Sequence, residues 1–168
     1  LVLGEKEGLA LINGTDGMLG QLVLACTDLA TLLTTTDVVA AMSVEGLMGT
    51  DKVFAADLHA MRPHPGQELS AATMRAVLAE SPIVARHRDD PDCPIVQDAY
   101  SLRCAPQVTG AARDTLVHAM LVAQRELASV IDNPVVTPDG RVESNGNFHG
   151  APVAYVLDFL AIAVADVA

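Results

Sequence analysis

The stretch Ile95-Val96-Gln97-Asp98-Ala99-Tyr100-Ser101-Leu102-Arg103-Cys104-Ala105-Pro106-Gln107 places an amide, a carboxylate, a phenol and a guanidinium within seven residues. Prolines flank these polar groups on both sides, so any helix between them is short. On a helical turn Gln97, Tyr100 and Arg103 follow at three-residue spacing and share one broad side. That side offers a cation for a carboxylate, a titratable hydroxyl and an amide. Taken alone, the spacing favours a polar turn between two helices, with Arg103 paired to Asp98 or another acid.

Long helices are predicted on either side of this stretch. Apolar residues make up 51% of the sequence and aromatic residues only 3%, a composition that favours helices. Three apolar seams recur at spacings of three and four and predict long, nearly antiparallel helices packed as an all-α bundle. The seams consist of Leu19, Leu22, Cys26, Leu29 and Leu33; of Leu116, Met120, Ala123, Leu127 and Val130; and of Val153, Leu157, Leu160, Val164 and Val167.

Residues that break or cap helices divide the sequence further. Thr34-Thr35-Thr36 predicts a break between the first seam and a second helix over 38–48, which Gly49 ends. Gly14 suits a positive φ angle after a short helix, and Pro106 suits the first turn of a long one. The other predicted elements are helices over 5–12, 54–61, 67–80 and from Pro152 onward, a solvated loop over 86–94, and one β-hairpin around Pro138-Asp139-Gly140.

The charge balance and the cysteines exclude several classes of function. The formal net charge of −11 argues against nucleic acid and anionic membranes as partners. The apolar C-terminal segment carries Asp158 and Asp166, so it is not expected to span a membrane. The three cysteines follow no pattern, which is typical of reduced thiols in a cytoplasmic protein. No spacing of Cys and His predicts a metal site.

The two ends of the sequence suggest a piece of a longer chain. The first residue is Leu, and the last residues stop inside a helical pattern without a cap. We therefore expect residues 1–168 to be a single helical unit, the central part of that longer chain. The mean hydropathy of +0.34 is high for a lone bundle of this size. The extra apolar surface is then expected to pack against the missing segments or against other subunits.

Five polar motifs occur in order along the chain. Together they resemble the motifs of the aromatic amino acid ammonia-lyases, and the resemblance covers essentially the whole sequence. It implies the all-α, fumarase/aspartase-like helix bundle of that family, with one small β-hairpin. The motifs are Asn13-Gly14-Thr15, His64-Pro65-Gly66-Gln67, the Gln97–Gln107 stretch, Asp132-Asn133-Pro134 and Gly146-Asn147-Phe148-His149-Gly150.

Within this family the sequence is most similar to the histidine-specific members. His149 after Asn-Phe and the run Ala111-Ala112-Arg113-Asp114 carry that similarity. The resemblance implies that the whole protein is a cytoplasmic carbon–nitrogen lyase that converts L-histidine to urocanate and ammonia, in histidine degradation. It also implies a homotetramer whose active sites combine several chains. Two small departures are Ala99, at a variable position, and Asn145, where a glycine is common in the family.

The family is known for an electrophile formed from its own chain. This group is 4-methylideneimidazole-5-one (MIO), made autocatalytically from an Ala-Ser-Gly triplet. In the present sequence Ala128-Ser129 is followed by Val130, and no Ala-Ser-Gly occurs. The resemblance places the triplet upstream of Asn13. We therefore expect MIO to form outside residues 1–168, and this piece alone to be inactive.

The resemblance also assigns roles to individual residues. Arg103 would bind the substrate carboxylate, for which a guanidinium has suitable geometry. Tyr100 would lie near the electrophile and take part in proton handling, and Gln97 would hydrogen-bond the substrate or an ordered water. Asn13 would hold the amino-acid end of the substrate and help to shape the electrophile site. Phe148 would wall the aromatic pocket, reaching the site of a neighbouring subunit.

The residues themselves leave a structural alternative open for each of these roles. Arg103 could form an ion pair, Tyr100 could be buried with its hydroxyl satisfied, and Gln97 could cap a helix. Asn13 could be a left-handed cap and Phe148 a core aromatic residue. The five histidines are expected to be structural, and they are His59, His64, His87, His118 and His149.

Two other functions stay open at this point. A tyrosine or phenylalanine ammonia-lyase, or an aminomutase of the same family, shares much of the motif pattern. A non-catalytic helical assembly module would account for the apolar seams, but it would not account for five polar motifs in family order. The upstream sequence distinguishes the two classes, because only an enzyme of this family requires the Ala-Ser-Gly triplet.

Overall fold

The protein is mainly helical, as the computed structural model shows for residues 1–88 and 90–168. A 3₁₀ turn over Lys52–Phe54 precedes α3, and β1 and β2 lie between α7 and α8. The predicted all-α class with one small hairpin is confirmed. The elements are α1 Glu7–Ala10, α2 Asp16–Gly46, α3 Ala56–Ala60, α4 Pro65–Leu78, α5 Pro82–Arg88, α6 Tyr100–Arg103, α7 Ala105–Leu127, β1 Val135–Val136, β2 Val142–Glu143 and α8 Ala151–Val167.

Contacts between residues group the chain into two compact units. Unit 1 comprises Leu1–Asp28 and Val117–Ala161, and unit 2 comprises Leu29–Leu116 and Ile162–Ala168. Each unit has its own buried apolar residues. The expectation that residues 1–168 form a single helical unit stays a prediction.

The buried apolar residues of unit 1 come from the three long helices α2, α7 and α8. The faces of α2 and α8 follow their predicted seams in part, since Leu19, Leu22, Cys26, Val153 and Leu160 are buried. Val156 is also buried, although the prediction missed it. The seam predicted for α7 is correct only in part. Ala123 is buried as predicted, but Met120, Leu127 and Val130 are exposed, and the buried Ala119 was not predicted. Small side chains allow close helix approach, and apolar periodicity alone does not reveal that preference.

Unit 2 is built around an apolar cluster whose buried members come from α2, α4, α5 and the 3₁₀ turn. The cluster extends to Leu102 and Ala105, which pack against it from the ends of α6 and α7. The polar stretch that carries Tyr100 and Arg103 is therefore fixed to this core by its own apolar residues. The buried members are Ala41, Val44, Phe54, Met74, Leu78 and Val84.

Helix α2 runs without a break through the three threonines, which corrects the predicted interruption. The hydroxyls of Thr34, Thr35 and Thr36 each donate to the backbone carbonyl four residues earlier, at 3.0 Å. These bonds satisfy the hydroxyls within the helix. Asp37, directly after the threonines, is buried within α2 and accepts a hydrogen bond from Arg113 Nη2 at 2.6 Å. A tertiary ion pair therefore overrides the local preference.

The length and hydropathy of α2 alone would also fit a membrane-spanning helix. A core helix of a soluble protein meets the same criterion. The buried Asp37–Arg113 pair lies in the middle of α2, and Ser70 of α4 accepts a further bond from Arg113 Nε at 3.1 Å. A charged pair in the middle of the helix argues against a membrane span for α2.

Three smaller predictions are also corrected. Gly14 does not have a positive φ angle. Helix α2 ends at Gly46, before the predicted stop at Gly49. The residue with a left-handed backbone after α2 is Met48, with φ 55°, and Gly49 N donates to the Val44 carbonyl at 2.7 Å. The predicted loop over 86–94 begins too early, since Arg86–Arg88 belongs to α5. Asp89 of that segment lies outside the described residues.

The hairpin and the start of α7 are confirmed. Val135 pairs with Glu143 and Val136 with Val142 in antiparallel register. Gly140, at the turn, has φ +82°, a conformation that glycine adopts without strain. Pro106 lies in the first turn of α7, where a proline costs no helical hydrogen bond.

Candidate active site

Tyr100 and Arg103 form the centre of the candidate site, on the single helical turn α6. The Arg103 guanidinium carbon lies 4.6 Å from the centroid of the Tyr100 ring, which is a cation–π contact. The Tyr100 side chain is 73% exposed, so the alternative of a buried tyrosine is wrong. Gln97 does not share the turn. It lies exposed in a bend before α6, which corrects the expectation that the three residues line one helical side.

Arg103 does not form the ion pair that its spacing suggested. Among the residues that the structure describes, no carboxylate pairs with it. Asp98 Oδ2 instead accepts a hydrogen bond from the Thr50 backbone N–H at 2.7 Å. A side chain at Gly49 would meet that same oxygen at 3.2 Å, so the glycine permits the approach. Asp98 therefore fixes the segment before α6 and leaves the guanidinium free for a ligand.

A cleft of about 300 Å³ in unit 2 is lined in part by Arg103 and Gln107. Arg103 Nε and Gln107 Oε1 are both buried without a hydrogen-bond partner. An unpaired buried polar atom costs about 1–3 kcal/mol, so a ligand that supplies an acceptor and a donor would be favoured here. Sequence reasoning missed Gln107, although it closes the polar stretch quoted at the outset.

The other polar side chains of this cleft already have partners. His59 is buried, its Nε2 lies 3.1 Å from the Val53 carbonyl, and its Nδ1 lies 2.9 Å from Gln67 Nε2. These two bonds fit a neutral ring with the proton on Nε2. Gln67 also accepts from Arg62 Nη1 at 3.4 Å. Arg103 and Gln107 are therefore among the side chains of this cleft that can still form hydrogen bonds with a ligand. The two bonds of His59 give it the structural role that we expected.

Asn13 lies in unit 1, in the bend before α2, with its side chain exposed. Its two neighbours in the motif are held in place. Gly14 is so close to Ile131 that an added Cβ would lie 3.1 Å from the Ile131 side chain, and buried Thr15 donates to Glu126 Oε1 at 2.5 Å. Asn13 does not have the left-handed conformation of a cap. Its amide is therefore presented on an anchored segment.

Phe148 also lies in unit 1, in the turn between β2 and α8, and is 40% exposed. The alternative of a core aromatic residue is therefore wrong. The Nδ1 of His149 next to it accepts the Ala151 backbone N–H at 3.2 Å, at the start of α8. The motif thus places an exposed ring beside a helix cap.

The candidate residues fall into the two units. Tyr100 and Arg103 meet in unit 2, where Gln97 is close in sequence but makes no side-chain hydrogen bond to another described residue. Asn13 and Phe148 belong to unit 1. In the described ranges 1–88 and 90–168, no group of three or more His, Cys, Asp or Glu residues could hold a metal ion.

Among the pKa values that differ clearly from their ordinary range in unit 1 are those of Asp132 and Cys26. A hydrogen bond from Lys6 lowers the pKa of the Asp132 carboxyl, and the bond from the Asn133 backbone adds to this effect. Burial raises the pKa of the Cys26 thiol. Neither group touches the candidate residues, so both shifts bear on stability and thiol reactivity.

Comparison with known proteins decides the family. The sequence model of the aromatic amino acid lyases matches residues 1–168. The chain belongs to the aromatic amino acid lyase family. It is 71% identical over 164 residues to a histidine ammonia-lyase of Streptomyces avermitilis, a match that covers 98% of this chain and 32% of the relative. The chain thus spans about a third of the length of the curated relatives it matches.

Solved structures of lyases and aminomutases share this fold. A histidine ammonia-lyase of Trypanosoma cruzi superposes with a TM-score of 0.81 at 39% identity, over 99% of this chain and 30% of that one. A tyrosine aminomutase of Streptomyces globisporus gives a TM-score of 0.86 at 37% identity, over 99% of this chain and 35% of that one. The predicted ammonia-lyase fold is therefore confirmed.

Proposed function

We propose that the whole protein of which this chain is a part eliminates ammonia from L-histidine to give urocanate. In this reaction the bond between the α-carbon and the amino nitrogen breaks, and a proton leaves the β-carbon. A carbon–carbon double bond forms in the side chain, and the nitrogen departs as ammonia. Similarity to curated histidine ammonia-lyases at 71% and 70% identity supports histidine as the substrate.

The single observation that carries the proposal is the state of Arg103. Its guanidinium lies against an exposed phenol, pairs with no described carboxylate, and has a buried Nε without a partner. A charged group in this state gains most from a ligand carboxylate, since charge-assisted hydrogen bonds are about twice as strong as neutral ones. A merely structural arginine would be expected to have an acidic partner.

The other candidate residues have exposed side chains, and we assign a role in the reaction to each of them. Tyr100 presents a hydroxyl that makes no hydrogen bond within the described ranges, and it is proposed to handle a proton close to the bound carboxylate. Gln97 offers a side-chain amide that we assign to the substrate or to an ordered water. Asn13 offers a side-chain amide that we assign to the amino-acid end of the substrate. Phe148 offers an aromatic face for the imidazole ring.

The family's cofactor fits this arrangement of free side chains. MIO would supply the electrophilic carbon of the reaction, from a triplet that these 168 residues do not contain. Tyr100 and Asn13 are the residues of this chain that we propose to lie beside it. Both side chains are exposed, and the described contacts leave both without a competing partner, as that position requires.

Assembly and location complete the proposal. Large apolar side chains are exposed on α2, α7 and α8, which is typical of surfaces covered by other segments or subunits. We propose a homotetramer in the cytoplasm, acting in histidine degradation, with a small amino acid as its only substrate.

An assay of the whole protein tests this function. L-histidine, L-tyrosine and L-phenylalanine are supplied separately, and the unsaturated acids and β-amino acids formed are measured by chromatography. Urocanate from L-histidine alone is the expected result. A protein that turns over only the other two amino acids would contradict the proposed substrate but not the family.

An aminomutase is the second candidate, because the similar fold of a tyrosine aminomutase favours it specifically. That activity would give a β-amino acid as the accumulating product instead of free ammonia and an unsaturated acid. The same chromatogram separates the two outcomes. A third possibility, a non-catalytic assembly module, would give no product from any of the three amino acids.

A further inference from the structure

The turn that carries Phe148 is held on its N-terminal side by asparagine. Asn147 N donates to Asn145 Oδ1 at 2.8 Å, and Asn147 Nδ2 donates to the Val130 carbonyl at 3.3 Å. These bonds tie both the backbone and the side chain of Asn147 to other segments of unit 1. The residue directly before the aromatic ring is therefore fixed.

The C-terminal side of the turn is fixed by different contacts. His149 N donates to the Gly146 carbonyl at 3.1 Å, and its Nδ1 accepts from Ala151 N at 3.2 Å. An added Cβ at Gly150 would lie 2.7 Å from Met18 Sδ, so the backbone packs closely against α2 at this point. Phe148 thus lies between two held residues while its ring remains partly exposed.

Asn145 is the centre of the network on the N-terminal side. Its backbone N–H donates to Asn133 Oδ1 at 2.9 Å, its Nδ2 donates to the Asp132 carbonyl at 3.0 Å, and its Oδ1 accepts from Asn147. One side chain therefore links the Asp132-Asn133-Pro134 motif to the motif that contains Phe148. A glycine at position 145, common in the family, could supply only the backbone bond.

From this geometry we infer that Asn145, together with Asn133 and Asn147, is a positioning residue that sets where the Phe148 ring stands in the substrate pocket. We call these three residues the asparagine clamp. The inference rests on the proposed function, in which Phe148 walls the pocket for the substrate ring. It explains why the Asp-Asn-Pro motif, which holds no candidate catalytic group, accompanies the active-site motifs.

Substitution of Asn145 in the whole protein tests the clamp. Asn145→Gly removes two of the three hydrogen bonds, so we expect KM for L-histidine to rise about fivefold or more, with kcat changed less than about twofold. Hydrogen exchange in a peptide covering residues 144–150 is expected to become faster. Asn145→Asp keeps the acceptor for Asn147 N–H but loses the donor to Asp132, and an intermediate KM is expected.

Glu143→Gln is the matched control, because Glu143 lies in the same hairpin and pairs only with Arg141 among the described residues. It should change neither KM nor the exchange of 144–150. Unchanged exchange in Asn145→Gly would overturn the clamp itself. Faster exchange with an unchanged KM would overturn the positioning role. A wild-type protein without activity on any of the three amino acids would refute the proposed function, and exchange would still decide whether Asn145 holds the turn.

Discussion

Tyr100, Arg103, Asn13 and Phe148 share one property in this structure. Among the described residues, none of these side chains has a hydrogen-bond or ion-pair partner at its functional end, while residues beside it in the chain are held in place. Asp98 holds the segment before Tyr100 by its bond to Thr50 N–H. Such an arrangement pre-organises a site without occupying it, which reduces the entropy lost when a ligand binds.

The ion pair between Lys6 and Asp132 gives a prediction of pH dependence. Lys6→Gln should raise the pKa of the Asp132 carboxyl toward its ordinary value, because the hydrogen bond from Lys6 is the largest cause of the lowered pKa. Because the pKa of Asp132 is lower in the folded protein than in the unfolded chain, its ionised carboxylate stabilises the fold at pH values above the ordinary carboxyl pKa. This stabilisation is lost as the pH falls through the folded-state pKa.

Carboxyl chemical shifts recorded by NMR over an acid titration would measure the Asp132 pKa in both forms. Arg141→Gln provides the control, since Arg141 pairs with Asp139 and Glu143 in the hairpin and not with Asp132. The same Asp132 pKa in the Lys6→Gln variant and the wild type would show that Lys6 is not the cause.

Helices α4 and α7 cross at two glycines, and this contact explains the His-Pro-Gly-Gln motif. An added Cβ at Gly66 would overlap the Gly110 carbonyl oxygen, and one at Gly110 would overlap the backbone of Gln67. Gly66 N–H also donates to Asp114 Oδ1 of α7 at 2.8 Å. The motif is therefore a packing device at the N-terminus of α4.

Gly110→Ala is expected to destabilise the protein, because backbone atoms at the crossing cannot move aside cheaply. Overpacking of this kind costs about 1–3 kcal/mol, and the melting temperature should fall accordingly. Gly20→Ala is the matched control, since nothing lies within 4 Å of a Cβ at that helical position. Alanine there should stabilise α2 by about 0.5–1 kcal/mol. A Gly110→Ala protein as stable as wild type would contradict the close crossing.

Local patterns predicted those elements whose cause is local. The turn at Gly140 and the proline at the start of α7 required only backbone geometry, and both are correct. The break at Thr34–Thr36 was wrong because the hydroxyls bond within the helix and Asp37 pairs with Arg113. Those causes involve partners on other turns or helices, which periodicity does not encode.

The motifs proposed the residues of the candidate site, but they did not predict the contacts of those residues. The motifs named Tyr100 and Arg103, yet the partner suggested for Arg103 was wrong, because Asp98 bonds to Thr50 instead. Gln107 was overlooked because its free oxygen is visible only once the cleft is formed. The links among the asparagines were also missed, since two of them join residues that are 12 and 13 positions apart in the sequence.

The amount of apolar surface leads to a prediction of self-association. Val23, Leu24, Val39, Met42 and Ile162 are among the large side chains left exposed on α2 and α8. Burial of apolar area contributes about 25 cal/mol per Å², so exposed apolar side chains in this number favour association. We expect residues 1–168 expressed alone to associate, as measured by size-exclusion chromatography with light scattering. A dilute, well-folded monomer would contradict this expectation.

The most direct test of the account is the effect of Arg103 on catalysis by the whole protein. Arg103→Ala should lower kcat/KM for L-histidine about ten- to hundredfold, the loss expected for charge-assisted hydrogen bonds to a carboxylate. Arg103→Lys should recover only part of the loss, because an ammonium cannot bind a carboxylate in two places. Arg141→Ala, at an exposed arginine, should have no effect. A kcat/KM unchanged in Arg103→Ala, with the fold intact, would contradict the account.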